Sequence, residues 1–167
     1  MTAQPNPILA FPIRRAQPAD IPAIIAVVNA AFAVESTFIE GARTDEPRLA
    51  EMTQKGEFLV AEDDLGRIIA SVYMEVRGER GYFGMLAVAP AQQGRGLGQR
   101  MIAVVEDECR RRGCKHLDMI ALSLRPELLP LYHRLGYAET GMVEEFRPLR
   151  PLKEGIKGQC IWMSKPL

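Results

Sequence analysis

The run Val88-Ala-Pro-Ala-Gln-Gln-Gly-Arg-Gly-Leu-Gly98 decides how this chain is read. It follows a short apolar stretch, Met85 to Val88, and opens directly into a helix-like pattern, Leu97 to Arg112. A strand that ends in a glycine-rich turn and hands over to a helix makes an anion cradle. The glycines let the backbone come close to the anion, and several N–H groups can point at it. The helix start adds unpaired N–H groups and the positive end of its dipole.

Three anion-loop patterns compete for this run. A nucleoside-triphosphate loop ends in Gly-Lys-Ser/Thr, whereas Gly98 is followed by Gln99 and Arg100. A dinucleotide fingerprint needs G-x-G-x-x-G; the last position is Gln99 counted from Gly94 and Met101 counted from Gly96. The third pattern, Gln/Arg-x-x-Gly-x-Gly/Ala, is met by Gln93-Gly94-Arg95-Gly96-Leu97-Gly98. The bland reading is a glycine-rich turn without a ligand. The order strand, loop, amphipathic helix argues against it.

The 167 residues suit one domain with a sizeable core. Lys plus Arg balance Asp plus Glu at 21 each, so no global charge argues for nucleic acid or a membrane surface. Cys109, Cys114 and Cys160 form no C-x-x-C pair, and His116 and His133 are the only histidines, so no metal site is expected. Sparse cysteines and the lack of a signal-peptide pattern or membrane span predict a cytoplasmic protein.

Residues 1–10 read as a loose arm, followed by a strand within Phe11 to Arg15. Asp20 is the expected N-cap of a helix to about Phe32, with Ile21, Ile24, Ile25, Val28 and Phe32 on one face. A second helix is expected over Glu46 to Met52, then strands over Phe58 to Ala61, Ile68 to Val76 and Tyr82 to Val88. The helix after the loop places Leu97, Met101, Ile102, Val105 and Cys109 on one face and stops at Gly113. A strand over His116 to Leu122, a short helix over Glu127 to Leu135 and strands over Tyr137 to Met142 and Gln159 to Met163 complete the chain.

Leu86-x-Val88-x-Pro90, the Gln93–Gly98 loop and Leu131-Tyr132-His133-Arg134-Leu135-Gly136-Tyr137, in this order with one strand between, resemble the GNAT superfamily of N-acetyltransferases. The resemblance implies a single α/β domain of α+β type over residues 11–167. Its sheet would be mixed, mostly antiparallel and twisted, with six to seven strands and about four flanking helices. It would splay between the strand before the loop and the strand at 116–122. The resemblance further implies acetyl-CoA as cosubstrate, with backbone groups of Leu86, Ala87 and Val88 holding the pantetheine. Gln93, Gly94, Arg95, Gly96, Leu97 and Gly98 would hold the pyrophosphate. Tyr132 matches the family tyrosine that faces the sulfur, and is the expected general acid.

Two departures from the family pattern matter. Some relatives carry a glutamate base where this chain has Tyr82, and no acid occurs from Gly81 to Pro90. Glu75 and Asp118 are the remaining base candidates, and water is a third route. The family's pantetheine-contacting Asn is replaced by Arg125, which could meet a carboxylate or phosphate. His133 follows Tyr132 by one residue and faces about 100° away, so it reads as packing or surface.

The implied reaction moves an acetyl group to a primary amine, most simply of a small molecule. Acceptor contacts are expected from residues 32–56 and 143–158, where Glu35, Glu40 and Asp45 could attract a cationic amine. Competing readings are a protein N-terminus or lysine as acceptor, a non-catalytic CoA-binding module, and homodimerisation through the last strands.

Overall fold

The computed structural model describes residues 11–167, so the expected arm at 1–10 lies outside the described residues. The strands are β1 (Ile13–Arg15), β2 (Glu57–Glu62), β3 (Ile68–Arg77), β4 (Arg80–Val88), β5 (His116–Leu122), β6 (Ala138–Glu145) and β7 (Gln159–Pro166). The helices are α1 (Ile21–Ala31), α2 (Glu46–Thr53), α3 (Leu97–Arg111) and α4 (Leu128–Arg134), with 3₁₀ turns at Pro18–Asp20, Phe32–Thr37 and Pro90–Gln92.

The strands form one seven-stranded sheet in the order β1-β2-β3-β4-β5-β7-β6. Every neighbouring pair is antiparallel except β4–β5, which is parallel. A parallel pair needs a crossover, and α3 supplies it, so the glycine loop necessarily sits at the end of β4.

Two cores cover the sheet. On one face, Leu97, Met101, Ile102, Val105 and Cys109 of α3 pack with Val72, Met74, Phe83, Leu117 and Met119. On the other, Ile24 and Val28 of α1 and Leu49 of α2 pack with Phe58, Val60, Tyr73 and Ala87. Covered on both faces, β3 is buried from Ile69 to Met74 without alternation. Gly81 is required by this packing, because a Cβ there would stand 2.5 Å from Cys109 Sγ of α3.

Several boundaries differ from expectation for local reasons. Asp20 does not cap α1 through its side chain. It instead accepts from the Gln17 N–H and pairs with Arg14. The side-chain cap is on α2, where Asp45 Oδ1 accepts from the Arg48 N–H. The last short helix begins at Leu128, which puts Pro130 in its first turn, where proline is tolerated. Strand β6 runs on to Glu145 with every residue exposed, so no apolar alternation marked its end. Against the expectation of no membrane span, the stretch Pro18–Thr37 has the length and mean hydropathy (20 residues, 1.5) of one. Here its central α1 docks on β3 and β4 through buried Ile24 and Val28.

Candidate active site

Strands β4 and β5 pair only at Arg80–His116, Gly81–Leu117 and Tyr82–Asp118. Beyond Tyr82 the side of β4 that faces β5 carries no ladder, while its other side continues to pair with β3 through Ala87–Ser71 and Val88–Ala70. The divergence coincides with a bulge: Tyr73 pairs with Gly84 and Ser71 with Ala87, so Met85 and Leu86 together oppose Val72. Met85 takes the bulge's left-handed conformation, φ 47°. A non-glycine residue there costs about 1–3 kcal/mol, so the surrounding β3–β4 packing must hold it. The outcome is a backbone edge over residues 83–88 that pairs with no strand among the described residues, and which an extended ligand chain can pair with as an added strand.

At the end of that edge the glycine loop is folded back onto the strand. Gln93 Nε2 donates to the Val88 carbonyl (3.0 Å), and Arg95 Nη1 donates to Gln92 Oε1 (2.9 Å). Gly94 and Gly96 are left-handed, φ 74° and 87°, with nothing within 4 Å of where a Cβ would stand. Gly98, in the first turn of α3, has room for a Cβ in ordinary contact with Val88 at 3.6 Å and Leu86 at 3.9 Å. Leu97 is buried and anchors the helix start. The first-turn N–H groups of α3, which have no intrahelical acceptor, therefore meet a loop whose side chains leave the backbone uncovered. These features fit a diphosphate, so residues 93–98 are suited to hold the pyrophosphate of a CoA molecule.

Tyr132 is brought to the same splay. Its ring packs against Phe83 of β4 (centroids 6.3 Å) and Tyr137 (6.1 Å). Burial pushes its hydroxyl pKa above the ordinary tyrosine range, against a smaller opposing pull from Arg125. The hydroxyl is thus a retained proton donor. His133 is exposed and its Nε2 lies 2.7 Å from Glu139 Oε2, a surface pair.

The two base candidates stand on either side of Tyr82, in register with it: Glu75 across β3 and Asp118 across β5. Both are engaged. Glu75 accepts from Arg77 Nε (2.5 Å) and from the Tyr73 hydroxyl (2.8 Å), and the Arg77 hydrogen bond is the chief cause of its lowered pKa. Burial would raise the Asp118 pKa, but hydrogen bonds with Arg80 and Ser164 outweigh it and hold the carboxyl low. Arg80 reaches Asp118 through two contacts of 2.7 Å.

Arg125 points away from solvent toward Glu35, Nη1 to Oε1 at 3.8 Å, and also pairs with the exposed Glu127 at 3.0 Å. Glu35 is 3 % exposed, and Arg43 Nε approaches its other oxygen at 3.7 Å. Asp45 is used twice, as the α2 cap and as partner of Arg150. Glu35 and Asp45, expected to attract a cationic amine, are already matched to arginines. Arg43, Thr44 and Trp162 carried no expectation from sequence, yet their buried Nε, Oγ1 and Nε1 atoms have no hydrogen-bond partner among the described residues. One signal was available: Val28, Phe32 and Glu35 continue a helical stripe at i, i+4, i+7, which turns Glu35 inward.

A roof covers this region. Ile39 bridges to Leu152, the Glu40 N–H donates to the Pro151 carbonyl (3.0 Å) and the Lys153 N–H to the Phe38 carbonyl (3.0 Å). Beneath it Phe38, Ile39, Leu122 and Phe146 form a small core at the end of β5. Two surface clefts, of about 390 and 340 Å³, lie elsewhere, lined chiefly by residues 16–27 and 46–68, and neither includes residues of the β4–β5 splay.

Comparison with known proteins agrees with this geometry. Residues 28–137 match the model of the acetyltransferase (GNAT) family. An acetyltransferase of Agrobacterium fabrum is 30% identical over 86 residues, 50% of this chain and 54% of that one. The mycothiol acetyltransferase of Propionibacterium freudenreichii is 24% identical over 148 residues, 84% of this chain and 47% of that one. The chain thus spans about half the length of these curated relatives. Among solved structures, the ribosomal-protein-S18-alanine N-acetyltransferase of Escherichia coli has a TM-score of 0.73 at 21% identity, covering 93% of each chain. The phosphinothricin acetyltransferase of Sinorhizobium meliloti, in complex with AcCoA, has a TM-score of 0.72 at 18% identity, covering 94% of this chain and 88% of that one. The splayed seven-stranded sheet, the glycine loop at the parallel crossover and the family match over most of the sheet lead to one conclusion: this chain belongs to the acetyltransferase (GNAT) family.

Proposed function

We propose that the protein is an N-acetyltransferase that moves an acetyl group from acetyl-CoA to a primary amine of a small molecule, by direct attack in a ternary complex. The observation that carries this reading is the free edge of β4, which begins after Tyr82 and ends in the uncovered glycine loop. Acetyl-CoA supplies an acetyl group already activated as a thioester. The Gln93–Gly98 loop and the first turn of α3 hold the pyrophosphate, with Arg95 adding charge at the rim. Leu86, Ala87 and Val88 offer backbone groups to the pantetheine, and an N–H of that stretch polarises the thioester carbonyl. Tyr132 gives its proton to the departing sulfur; its raised pKa keeps that proton in place until then. The amine loses its proton to water, since both nearby carboxylates are committed to arginines.

The joined roof of residues 38–40 and 151–153 supports a small acceptor over an extended protein segment. A cytoplasmic setting, where acetyl-CoA is made and used, fits the same reading. The test is acceptor-dependent thiol release from acetyl-CoA against amines, polyamines, amino acids and peptides, with the N-acetylated product identified by mass. CoA binding without thiol release on any acceptor would make the chain a binding module instead.

A further inference from the structure

Four of the buried polar atoms without a hydrogen-bond partner among the described residues are Glu35 Oε2, Arg43 Nε, Thr44 Oγ1 and Trp162 Nε1. Arg43 and Thr44 are chain neighbours, and Trp162, next to Met163 of the α3-side core, is on the face of the sheet opposite α3. Arg43 approaches Glu35 at 3.7 Å, and its guanidinium lies over the rings of Phe32 (5.0 Å) and Phe146 (5.8 Å). Trp162 follows Cys160 by two on β7, hence on the same face, and its ring meets Tyr82 at 5.8 Å. Tyr82 is where the β4–β5 splay begins. The group therefore borders the reaction site on the acceptor side.

The Arg43–Glu35–Arg125 arrangement is an ion triad that stops short of hydrogen bonding. Its separations of 3.7 and 3.8 Å exceed hydrogen-bond length. A buried charged group left without a hydrogen bond costs more than a neutral one, and such orphans are rare in native proteins. Here Glu35 and Arg43 are paired at 3.7 Å, Thr44 is the next residue in the chain, and Trp162 lies against Tyr82, a clustering of orphans that points to a partner from outside the chain. The chemistry of that partner follows from the inventory. Arg43 Nε–H and Trp162 Nε1–H can only donate, and the Thr44 hydroxyl can donate as well. Two guanidinium groups face one buried carboxylate, and exposed Glu127 offsets only the outer one. The surplus is positive and donor-rich. It suits an acceptor-only anion, and a guanidinium is best matched by a planar carboxylate.

We propose that the acceptor is a small primary amine that also carries a carboxylate, with Arg43 and the Trp162 indole N–H receiving that carboxylate. Glu35 is a positioning residue that holds Arg43 and Arg125 apart. This substrate class rests on the acetyltransferase reading above, but its binding half can be measured without turnover.

The test uses free α-amino acids and ω-amino acids, each beside its own carboxamide and its decarboxylated amine. Binding to the CoA-saturated protein is measured by calorimetry, and thiol release from acetyl-CoA is followed separately. The acid should be preferred over its carboxamide by about ten- to a hundredfold, the scale of a charge-assisted hydrogen bond. In Arg43→Gln the preference should fall toward one while CoA affinity is unchanged, and Trp162→Phe should lower it in part. The two arms separate an α-carboxylate from a more distant one. Carboxamides or polyamines used as well as acids, no binding of any acid, or an Arg43→Gln variant that keeps the preference would overturn the proposal while leaving acetyl transfer intact. Selective binding of acids without thiol release would uphold the proposal and remove the acetyltransferase reading instead. If Arg43→Gln does not fold, the acid-to-amide ratio of the unaltered protein and Trp162→Phe decide the matter.

Discussion

Asp118 lies beside Tyr82 at the last pair that joins β4 to β5, and its carboxylate is clamped by two 2.7 Å contacts from Arg80. The clamp closes one end of the splay and keeps the carboxylate ionised and weakly basic. Glu75, on the other side of Tyr82, is held in the same way by Arg77 and Tyr73. A carboxylate with a lowered pKa is a poor acceptor for an ammonium proton. Glu75→Gln and Asp118→Asn should therefore each retain substantial turnover. Their pH–rate profiles should keep a rising limb set by the neutral fraction of the acceptor amine. Turnover against pH with one good acceptor checks this. Loss of activity in either variant, with CoA binding and folding intact, would identify that residue as the base.

Tyr132→Phe should lower turnover by about 10²–10⁴-fold, the usual worth of general acid catalysis, when thiolate departure limits the rate. CoA affinity and thermal stability should change little, because the ring that packs on Phe83 and Tyr137 is retained. Single-turnover kinetics beside CoA calorimetry separate the two effects. Unchanged chemistry would remove Tyr132 from the mechanism and leave it as a packing residue.

The parts of the site that were legible in the sequence are those where local chemistry dictates the backbone. Glycines at 94 and 96 marked a loop of unhindered backbone, which the structure shows as left-handed turns, and the periodic face from Leu97 to Cys109 marked the helix they lead into. The bulge at Met85 left no such mark, since its positive φ sits on an ordinary side chain and is imposed by the register with β3. Asp20 looked like a cap and is drawn off by Arg14 and the Gln17 N–H; the competition is tertiary and invisible locally. Glu35 was noticed as an acid but not as a buried one. Its arginine neighbours at 43 and 125 arrive from distant segments, and the roof over them depends on Ile39 meeting Leu152.

Glu108 makes the acid limb of stability testable. Arg15 (3.0 Å), Arg111 and Arg112 (2.7 Å) converge on it at the end of α3, and the Arg111 hydrogen bond leads in lowering its carboxyl to about 2. An unfolded glutamate titrates at about 4.3. Because the folded value is the lower one, the stabilisation is present above the unfolded value and is lost as pH falls through the folded one. Thermal unfolding should show Glu108→Gln less stable than the unaltered protein at pH 7, with the gap closing as pH drops toward about 2. Added salt should shrink the gap, since these arginines are partly exposed. A gap independent of pH would mean that shape rather than charge holds Glu108.

Gly98 offers the cleanest test of where the pyrophosphate binds. Gly96 would be ambiguous, because its φ of 87° strains any side chain placed there. Gly98 is helical, and a Cβ on it would meet Val88 Cγ2 at 3.6 Å and Leu86 Cδ2 at 3.9 Å, ordinary contacts. Gly98→Ala should thus fold well, with a gain of up to about 1 kcal/mol from helix propensity. Gly98→Asp should also fold, since an acidic residue in the first turn complements the helix dipole. The same carboxylate would occupy the first-turn N–H groups and repel a phosphate arriving at them. CoA affinity should fall about tenfold or more in Gly98→Asp, and less in Gly98→Ala. Calorimetry with CoA, alongside thermal unfolding of each variant, reads both quantities. Undiminished affinity in a folded Gly98→Asp protein would move the pyrophosphate away from the start of α3.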